Sequence, residues 1–195
     1  TATLSILIAF ILGSIAGYVR EGIARDLMTL FIDSFCLIPG LPVLMIFAIL
    51  WRDYLNPVLI GLILSIFGWA WPSRNIRSIV LSLRERSFTY TAQLSGYSML
   101  RIFFQEYLPY IVRWLAVSFL GLLNWAIGME VTIAVFGLSS LEEATIGTVI
   151  YWALQYQAIL RGVWWWILAP VGILMTFIIS LYVFTQSLST VLWGR

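Results

Sequence analysis

Several stretches of this chain run for about 20 residues with almost no charged side chain, the length that a helix needs to cross a hydrocarbon core of about 30 Å. Backbone groups in lipid must be satisfied within the protein, so such segments are helices or strands of a closed barrel. Because the apolar runs are continuous and do not alternate, helices are favoured. The composition agrees: a chain that is 62% hydrophobic and 10% charged, with a mean hydropathy of +0.98, has too few polar side chains to cover a soluble domain. We predict an all-α fold, a polytopic bundle of transmembrane helices.

The sequence predicts five spans within a single transmembrane domain of residues 1–195. They cover about residues 4–19, 27–50, 57–71, 108–138 and 164–188. The first carries Gly13 and Gly17, a spacing of small residues that lets membrane helices approach closely. The second is interrupted by Pro39-Gly40-Leu41-Pro42, where we expect a kink or break because proline removes a backbone donor. Trp164-Trp165-Trp166 at the start of the last span is predicted to be an interfacial anchor.

The arginines predict how the spans are oriented, because loops rich in positive charge stay in the cytoplasm. All 11 basic residues are arginines, and five of them lie between Pro72 and Tyr107. With that segment inside, the cytoplasmic side also receives Arg20, Arg25 and Arg195. Only Arg52 and Arg161 then lie outside, where the chain also starts. If the natural protein starts in the cytoplasm, one further span precedes this chain, making six.

Between the last two spans, residues 139–162 fall on the outer side and are not polar enough for a free loop. Apolar and amide side chains recur there at helical spacing: Ile146, Val149, Ile150, Ala153, Leu154 and Gln157. We predict a helix that lies on, or dips into, the outer face of the membrane.

The cytoplasmic segment 73–108 is predicted to form a rigid elbow. Residues 76–83 carry the apolar stripe of an amphipathic helix, and the helical pattern continues to Gly96. Glycine just past a helix end is the usual C-cap, because it adopts a left-handed conformation without strain. A short apolar segment follows, and Leu108-Pro109 is expected to open the fourth span, where the missing N–H of proline costs nothing.

This segment resembles the cytoplasmic signature of ABC importer permeases: Glu-Ala-Ala, three residues, Gly, nine residues, Ile, one residue, Leu-Pro. The spacing here is Tyr90-Thr91-Ala92, three residues, Gly96, nine residues, Glu106, Tyr107, Leu108-Pro109. Four positions match in identity (Ala92, Gly96, Leu108 and Pro109), whereas Tyr90, Thr91 and Glu106 differ. The order of further segments resembles the dipeptide and oligopeptide permeases, from about Gly13 to the end of the chain. Those segments are Trp71-Pro72, Met129-Glu130-Val131 and 164–170.

The resemblance implies that the elbow is the coupling helix that sits in a groove of an ATP-hydrolysing subunit. It assigns this contact to Tyr90, Thr91, Ala92, Gly96, Tyr97, Leu108 and Pro109. The implied partners are a second homologous permease, two ATPase subunits, an external substrate-binding protein and the lipid bilayer of the cell membrane. The implied cargo is short peptides, with oligosaccharides or chelated nickel as alternatives.

The chain is expected to hold no cofactor and no metal, and to be no enzyme. It has no Lys, so the GK[ST] ending of a phosphate-binding P-loop cannot occur, and ATP and Mg are left to the partner subunits. A membrane-embedded enzyme would need clustered polar or metal-binding groups, but the chain has no His and a single Cys. The net charge of +2 is too small to indicate nucleic acid. An ion-coupled carrier or channel would explain the spans but not the elbow.

Three acidic or basic residues fall within the predicted spans, where a charge is costly unless it is paired or hydrated. Glu130 is predicted either to lie near the translocation path or to make a structural hydrogen bond. Asp33 and Arg113 fall at similar depths from the cytoplasmic side. We therefore consider that they pair or share a polar network, the alternative being that each reaches separately to the interface.

Overall fold

The computed structural model describes residues 1–19, 22–51 and 54–193, and these are almost entirely helical, with no strand among them. The elements are α1 (Ala2–Tyr18), α2 (Ile23–Leu37), α3 (Gly40–Leu50), α4 (Pro57–Gly68), α5 (Ala70–Arg84), α6 (Ser87–Leu94), α7 (Met99–Ile102), a π-helical turn (Phe103–Tyr107), α8 (Leu108–Val135), α9 (Ile146–Gln155) and α10 (Trp165–Trp193). The predicted all-α fold is confirmed.

Within the described residues, three helical stretches are long and apolar enough to cross a membrane: Pro57–Arg84, Met99–Val135 and Trp165–Val191. α2 and α3 form a fourth candidate as a pair bent by 74°. The bend confirms the predicted break, because Ile38 and Pro39 leave the helical conformation for an extended one. The first predicted span, about residues 4–19, corresponds to α1, which has only 17 residues and is grouped with the shorter apolar helices. The count of five spans therefore stays a prediction.

The third span is longer than its predicted range. We placed its end at Trp71, but the helix continues to Arg84 with only a turn between α4 and α5. The continuation forms because Ile76, Val80 and Leu83 lie on one face of α5 and are buried there. Most of segment 73–108 is therefore helical, and little of it is a loop.

α8 begins at Leu108, as predicted for the fourth span, but Met99–Tyr107 run into it without a break, so Pro109 lies inside a longer helical stretch and not at a free helix start. A π-helical turn comes directly before it, in which the Leu108 N–H donates to the Phe103 carbonyl. Proline has no N–H, and its ring clashes with the preceding turn of a regular α-helix. A π-helical turn is wider than an α-helical turn, and it is the local distortion by which this helix accommodates Pro109.

The described residues fall into two compact units, and the first contains Ala2–Ile38 and Phe67–Phe119. In this unit α1 packs along α5 so closely that a Cβ on Gly13 would lie 2.6 Å from the Ser73 carbonyl oxygen. A Cβ on Gly17 would lie 2.6 Å from Cβ of Val80. The predicted close approach at the two glycines is confirmed. The buried core of the unit consists of Ala9, Ala16, Ile32, Trp69, Ala70, Ile76, Val80, Leu83, Ile102, Phe103, Tyr107 and Ile111.

α1 and α5 run parallel. The Ser73 hydroxyl donates to the Ala9 carbonyl (3.3 Å), and the Arg84 guanidinium donates to the Gly17 carbonyl (3.2 Å). These bonded pairs are 64 and 67 residues apart, so both helices advance in the same direction. The arginine-based topology requires the first and third spans to cross the membrane in the same direction, and the parallel packing agrees with it.

The second unit contains Thr1, Pro39–Ile66 and the described part of Leu120–Arg195. Here α9 packs on α10 and on the end of α8. A Cβ on Gly147 of α9 would lie 2.4 Å from Cβ of Ala134, so glycine is required for this approach. The predicted helix in residues 139–162 is confirmed over Ile146–Gln155. Its buried side includes Ile150 and Ala153, whereas Leu154 is about half exposed. Gln157, which we placed in the helical pattern, lies beyond the end of α9 in a left-handed conformation.

Candidate functional site

The elbow turns at Gly96, which has a left-handed backbone conformation (φ +79°) as predicted. The Tyr97 N–H donates to the Ala92 carbonyl at 3.1 Å, and the Gly96 N–H donates to the Gln93 carbonyl at 3.0 Å. These two bonds form a Schellman motif, which satisfies the last carbonyls of α6. Glycine adopts this conformation without a steric penalty, so the turn is encoded locally.

The chain after the turn is stabilised by polar and aromatic contacts that the sequence reasoning missed. The Ser98 side chain accepts from the Arg101 N–H at 3.3 Å and caps α7. The Arg101 guanidinium carbon lies 3.9 Å from the centroid of the Tyr97 ring, and its Nε donates to Gln105 Oε1 at 3.0 Å. A serine directly before an apolar helical run is an N-cap signal that could have been found.

A buried pair of hydroxyls fastens the elbow to the rest of its unit. The Tyr107 hydroxyl donates to Thr89 Oγ1 at 3.2 Å, and the Thr89 hydroxyl donates to the Leu83 carbonyl at 2.7 Å. Both side chains are fully buried, where an unpaired hydroxyl would cost about 1–3 kcal/mol. The end of α5, the start of α6 and the π-helical turn are thereby joined. No local sequence signal predicts this contact.

The elbow presents an apolar surface, the elbow patch, which we define as Tyr90, Leu94, Tyr97 and Leu100. All four side chains are exposed, and that of Leu94 is 90% exposed. They lie on both sides of the turn at Gly96: Tyr90 and Leu94 are one helical turn apart on α6, and Tyr97 and Leu100 follow the turn.

The structure separates the seven predicted coupling residues into two groups. Tyr90, Thr91, Gly96 and Tyr97 are exposed on the elbow, and Ala92 is half-buried beside them. Leu108 and Pro109 instead follow the π-helical turn, within the long helix that leaves the elbow. Leu108 and Pro109 thus belong to the helix that leaves the elbow, whereas the first group lies on the elbow itself.

Glu130 joins α8 to the N-terminus of α9. The Thr145 hydroxyl donates to Glu130 Oε1 at 3.0 Å. Thr145 also caps α9 reciprocally with Thr148, because each side chain accepts from the other's backbone N–H. A carboxylate is favoured at the N-terminus of a helix, where the unpaired N–H groups carry partial positive charge. The structural hydrogen bond that we considered for Glu130 is therefore formed, and its place near the translocation path stays a prediction.

The ion pair considered between Asp33 and Arg113 is not formed among the described residues, whereas a polar network shared by the two stays a prediction. Asp33 Oδ1 lies 3.6 Å from Nε of Arg74, and no ion pair links Asp33 to Arg113 in the described part of the chain. Arg113 is exposed on α8. The reason is the unpredicted length of the third span: α5 continues past Trp71 and brings Arg74 alongside α2.

Comparison with known proteins gives consistent matches. Residues 9–191 match the sequence profile of the family described as binding-protein-dependent transport system inner membrane component. An oligopeptide transport system permease protein OppC of Lactococcus lactis subsp. cremoris is 26% identical over 183 residues, covering 92% of this chain and 61% of the relative. An OppC of Mycobacterium tuberculosis is 30% identical over 155 residues, covering 76% of this chain and 51% of the relative.

A nickel transport system permease protein NikC of Escherichia coli (strain K12) is also similar. It is 30% identical over 110 residues, covering 56% of this chain and 37% of the relative. The chain thus spans between about a third and three fifths of the length of these relatives.

Proposed function

Because the chain belongs to the family of inner membrane components of binding-protein-dependent transport systems, we propose that it is the permease subunit of an ATP-driven importer and that its elbow receives the motion of ATPase subunits. The family and the apolar helices make it a membrane-embedded transport component. The relatives are likewise transport permeases and not enzymes. The contact with the ATPase, the partners and the cargo belong to the proposal.

The elbow patch is the observation that carries the proposal. Four large apolar side chains are exposed on a turn that is held by the Schellman motif and by the buried Thr89–Tyr107 hydrogen bond. The residues next to them in the sequence include exposed polar side chains, those of Thr91, Ser95 and Arg101. An exposed apolar patch with a polar rim is typical of a protein–protein contact. We propose that this contact is made with the ATP-hydrolysing subunit.

The long helix that leaves the elbow provides the mechanical link. Met99–Val135 form one helical stretch, so a displacement of the elbow patch is passed directly into a membrane span. Closure of two ATPase subunits, which bind the ATP and Mg, would move the elbow and switch the access of the pathway from one side to the other. This chain forms half of that pathway, and a second homologous permease forms the other half. An external binding protein delivers the cargo.

We propose short peptides as the cargo, because the relatives with oligopeptide names match 76% and 92% of the chain, whereas a nickel relative matches 56%. Chelated nickel is the second candidate, supported by that relative. Uptake of labelled peptides and of nickel, measured in the same membranes, separates the two. Nickel uptake without peptide uptake would overturn the peptide proposal and leave the permease proposal standing.

Recovery of the ATPase with variant permeases tests the coupling proposal. Leu94→Arg places a charge in the centre of the elbow patch and should lower the recovered ATPase by roughly tenfold, as for a central interface residue. Ser82→Arg is the matched control, because Ser82 is exposed on α5 outside the patch. It should leave the ATPase bound. Equal recovery with both variants would overturn the assignment of the patch.

A further inference from the structure

The connection between α9 and α10, which we call the α9–α10 turn (residues 156–164), exposes unusually large apolar side chains. Ile159 is 64% exposed, Leu160 is 83% exposed and Trp164 is 56% exposed. Trp165, the first residue of α10, is also exposed. A turn in contact with water is normally polar, so this one is suited to an apolar environment.

The turn lies next to a membrane span. α10 begins at Trp165, and the stretch Trp165–Val191 is long and apolar enough to cross a membrane. The start of such a span lies at or beyond a membrane boundary, because its 27 residues exceed the roughly 20 that cross the hydrocarbon core. Leu160 precedes Trp165 by only five residues. The exposed aliphatic side chains are therefore within reach of lipid.

Part of the backbone of the turn is satisfied by hydrogen bonds within the turn itself. The Ala158 N–H donates to the Ala153 carbonyl at 2.9 Å, and the Val163 N–H donates to the Ala158 carbonyl at 2.8 Å. Left-handed residues, Gln157 (φ 52°) and Gly162 (φ 78°), close these two successive turns. Irregular backbone exposed to lipid does not occur within the hydrocarbon core, so the backbone of the turn belongs at headgroup depth, from which its aliphatic side chains can reach the acyl chains.

One positive charge lies within this apolar surface. Arg161 is the only charged residue between Ala144 and Trp193, and it is exposed between Leu160 and the tryptophans. Arginine binds phosphate through two parallel hydrogen bonds, and tryptophan is enriched at the depth of lipid headgroups. The charge therefore lies where a phospholipid phosphate is expected.

We propose that the α9–α10 turn is a lipid-binding site, in which Ile159 and Leu160 insert beneath the headgroups and Arg161 binds a phospholipid phosphate. Exposed tryptophans beside an arginine would also suit a protein partner, and lipid is the occupant proposed here because the turn directly precedes the membrane span of α10. This proposal does not depend on the cargo or on the ATPase contact. It assigns the turn the role of holding the outer end of α10 at a fixed depth.

The depth of Leu160 tests the insertion. In a Cys36→Ala background, a spin label on Leu160→Cys is compared with one on Glu142→Cys, an exposed residue of the same α8–α10 connection. The full chain is placed in phosphatidylcholine nanodiscs with and without phosphatidylglycerol. The label at position 160 should be more accessible to oxygen than to a water-soluble nickel chelate, and the label at 142 should show the reverse. Equal behaviour of the two labels, or shielding of position 160 only after a binding protein is added, would overturn the proposal.

Native mass spectrometry of co-purified lipid tests the phosphate contact. Arg161→Gln should lower the bound phosphatidylglycerol roughly fivefold, the effect of one basic residue near an anionic surface. Arg161→Lys keeps the charge and should retain most of the lipid. Arg86→Gln, at an exposed arginine of the elbow, is the control. Unchanged lipid binding in Arg161→Gln would refute the assignment of the phosphate to Arg161.

Discussion

Tyr107 and Thr89, 18 residues apart, share a fully buried hydrogen bond of 3.2 Å that fastens the start of α6 to the π-helical turn. Thr89 is also bound to the end of α5, because its hydroxyl donates to the Leu83 carbonyl. The elbow is thus held by polar contacts inside an apolar core, where water cannot substitute for either hydrogen bond.

Tyr107→Phe should destabilise the protein, because it removes the donor to Thr89 and keeps the ring in place. We expect a loss of about 1 kcal/mol, typical for one intramolecular hydrogen bond. The measurement is the thermal unfolding midpoint of the purified protein in nanodiscs. Tyr110→Phe, at an exposed tyrosine, makes the same chemical change and should have little effect. An equal decrease of the unfolding midpoint in both variants would show that the buried hydrogen bond does not stabilise the protein.

Gly96→Arg should abolish substrate-stimulated transport while the protein still inserts into the membrane. The substitution forces a side chain into a left-handed backbone conformation and adds a bulky charge beside the elbow patch. Gly96→Asn is the matched variant, because asparagine tolerates this conformation better than other residues. It should retain most transport. Uptake and membrane content are measured together, and normal uptake with Gly96→Arg would contradict the coupling role.

Gly17→Ala should separate α1 from α5. Its Cβ would lie 2.6 Å from Cβ of Val80, so a helix must shift or a side chain must leave its rotamer. Overpacking of this kind costs about 1–3 kcal/mol. Gly172→Ala on α10 is the control, because no atom of the described residues, apart from its own stretch of helix, lies within 4 Å of its added Cβ. The unfolding midpoint should fall for Gly17→Ala only. A similar fall in both variants would show that the close contact between α1 and α5 does not cause the loss of stability.

The Glu130–Thr145 hydrogen bond should appear as a coupling energy in a double-mutant cycle. Glu130→Ala and Thr145→Val each remove one partner, and Thr145→Val also removes the cap of α9. The cycle isolates the pairwise part, which we expect to be about 1.5–3 kcal/mol for a bond to a charged acceptor. Unfolding free energies of the four proteins give the value. Strict additivity would show that the carboxylate does not hold the N-terminus of α9.

Glu130→Gln extends this experiment to function. Glutamine keeps an oxygen that can accept from Thr145 but removes the charge. A variant with normal stability and reduced transport would place Glu130 on the translocation path as well as at the α8–α9 contact. Normal stability together with normal transport would restrict the residue to its structural role.

Features that depend on neighbouring residues were predictable from the sequence alone. The apolar runs determine membrane helices, because lipid leaves the backbone no other partners. Gly96 determines the left-handed end of α6, and Pro39 determines the break between α2 and α3, because each restricts its own backbone.

The contacts between distant segments were decided only by the tertiary structure. The pairing of Asp33 with Arg74 depends on the continuation of α5 beyond Trp71. The Thr89–Tyr107 bond and the π-helical turn before Pro109 arise where two helices pack against the same core. Turn and cap chemistry acts over about one helical turn, whereas the partner of a side chain depends on which helix faces meet. That choice is made by the packing of the whole unit.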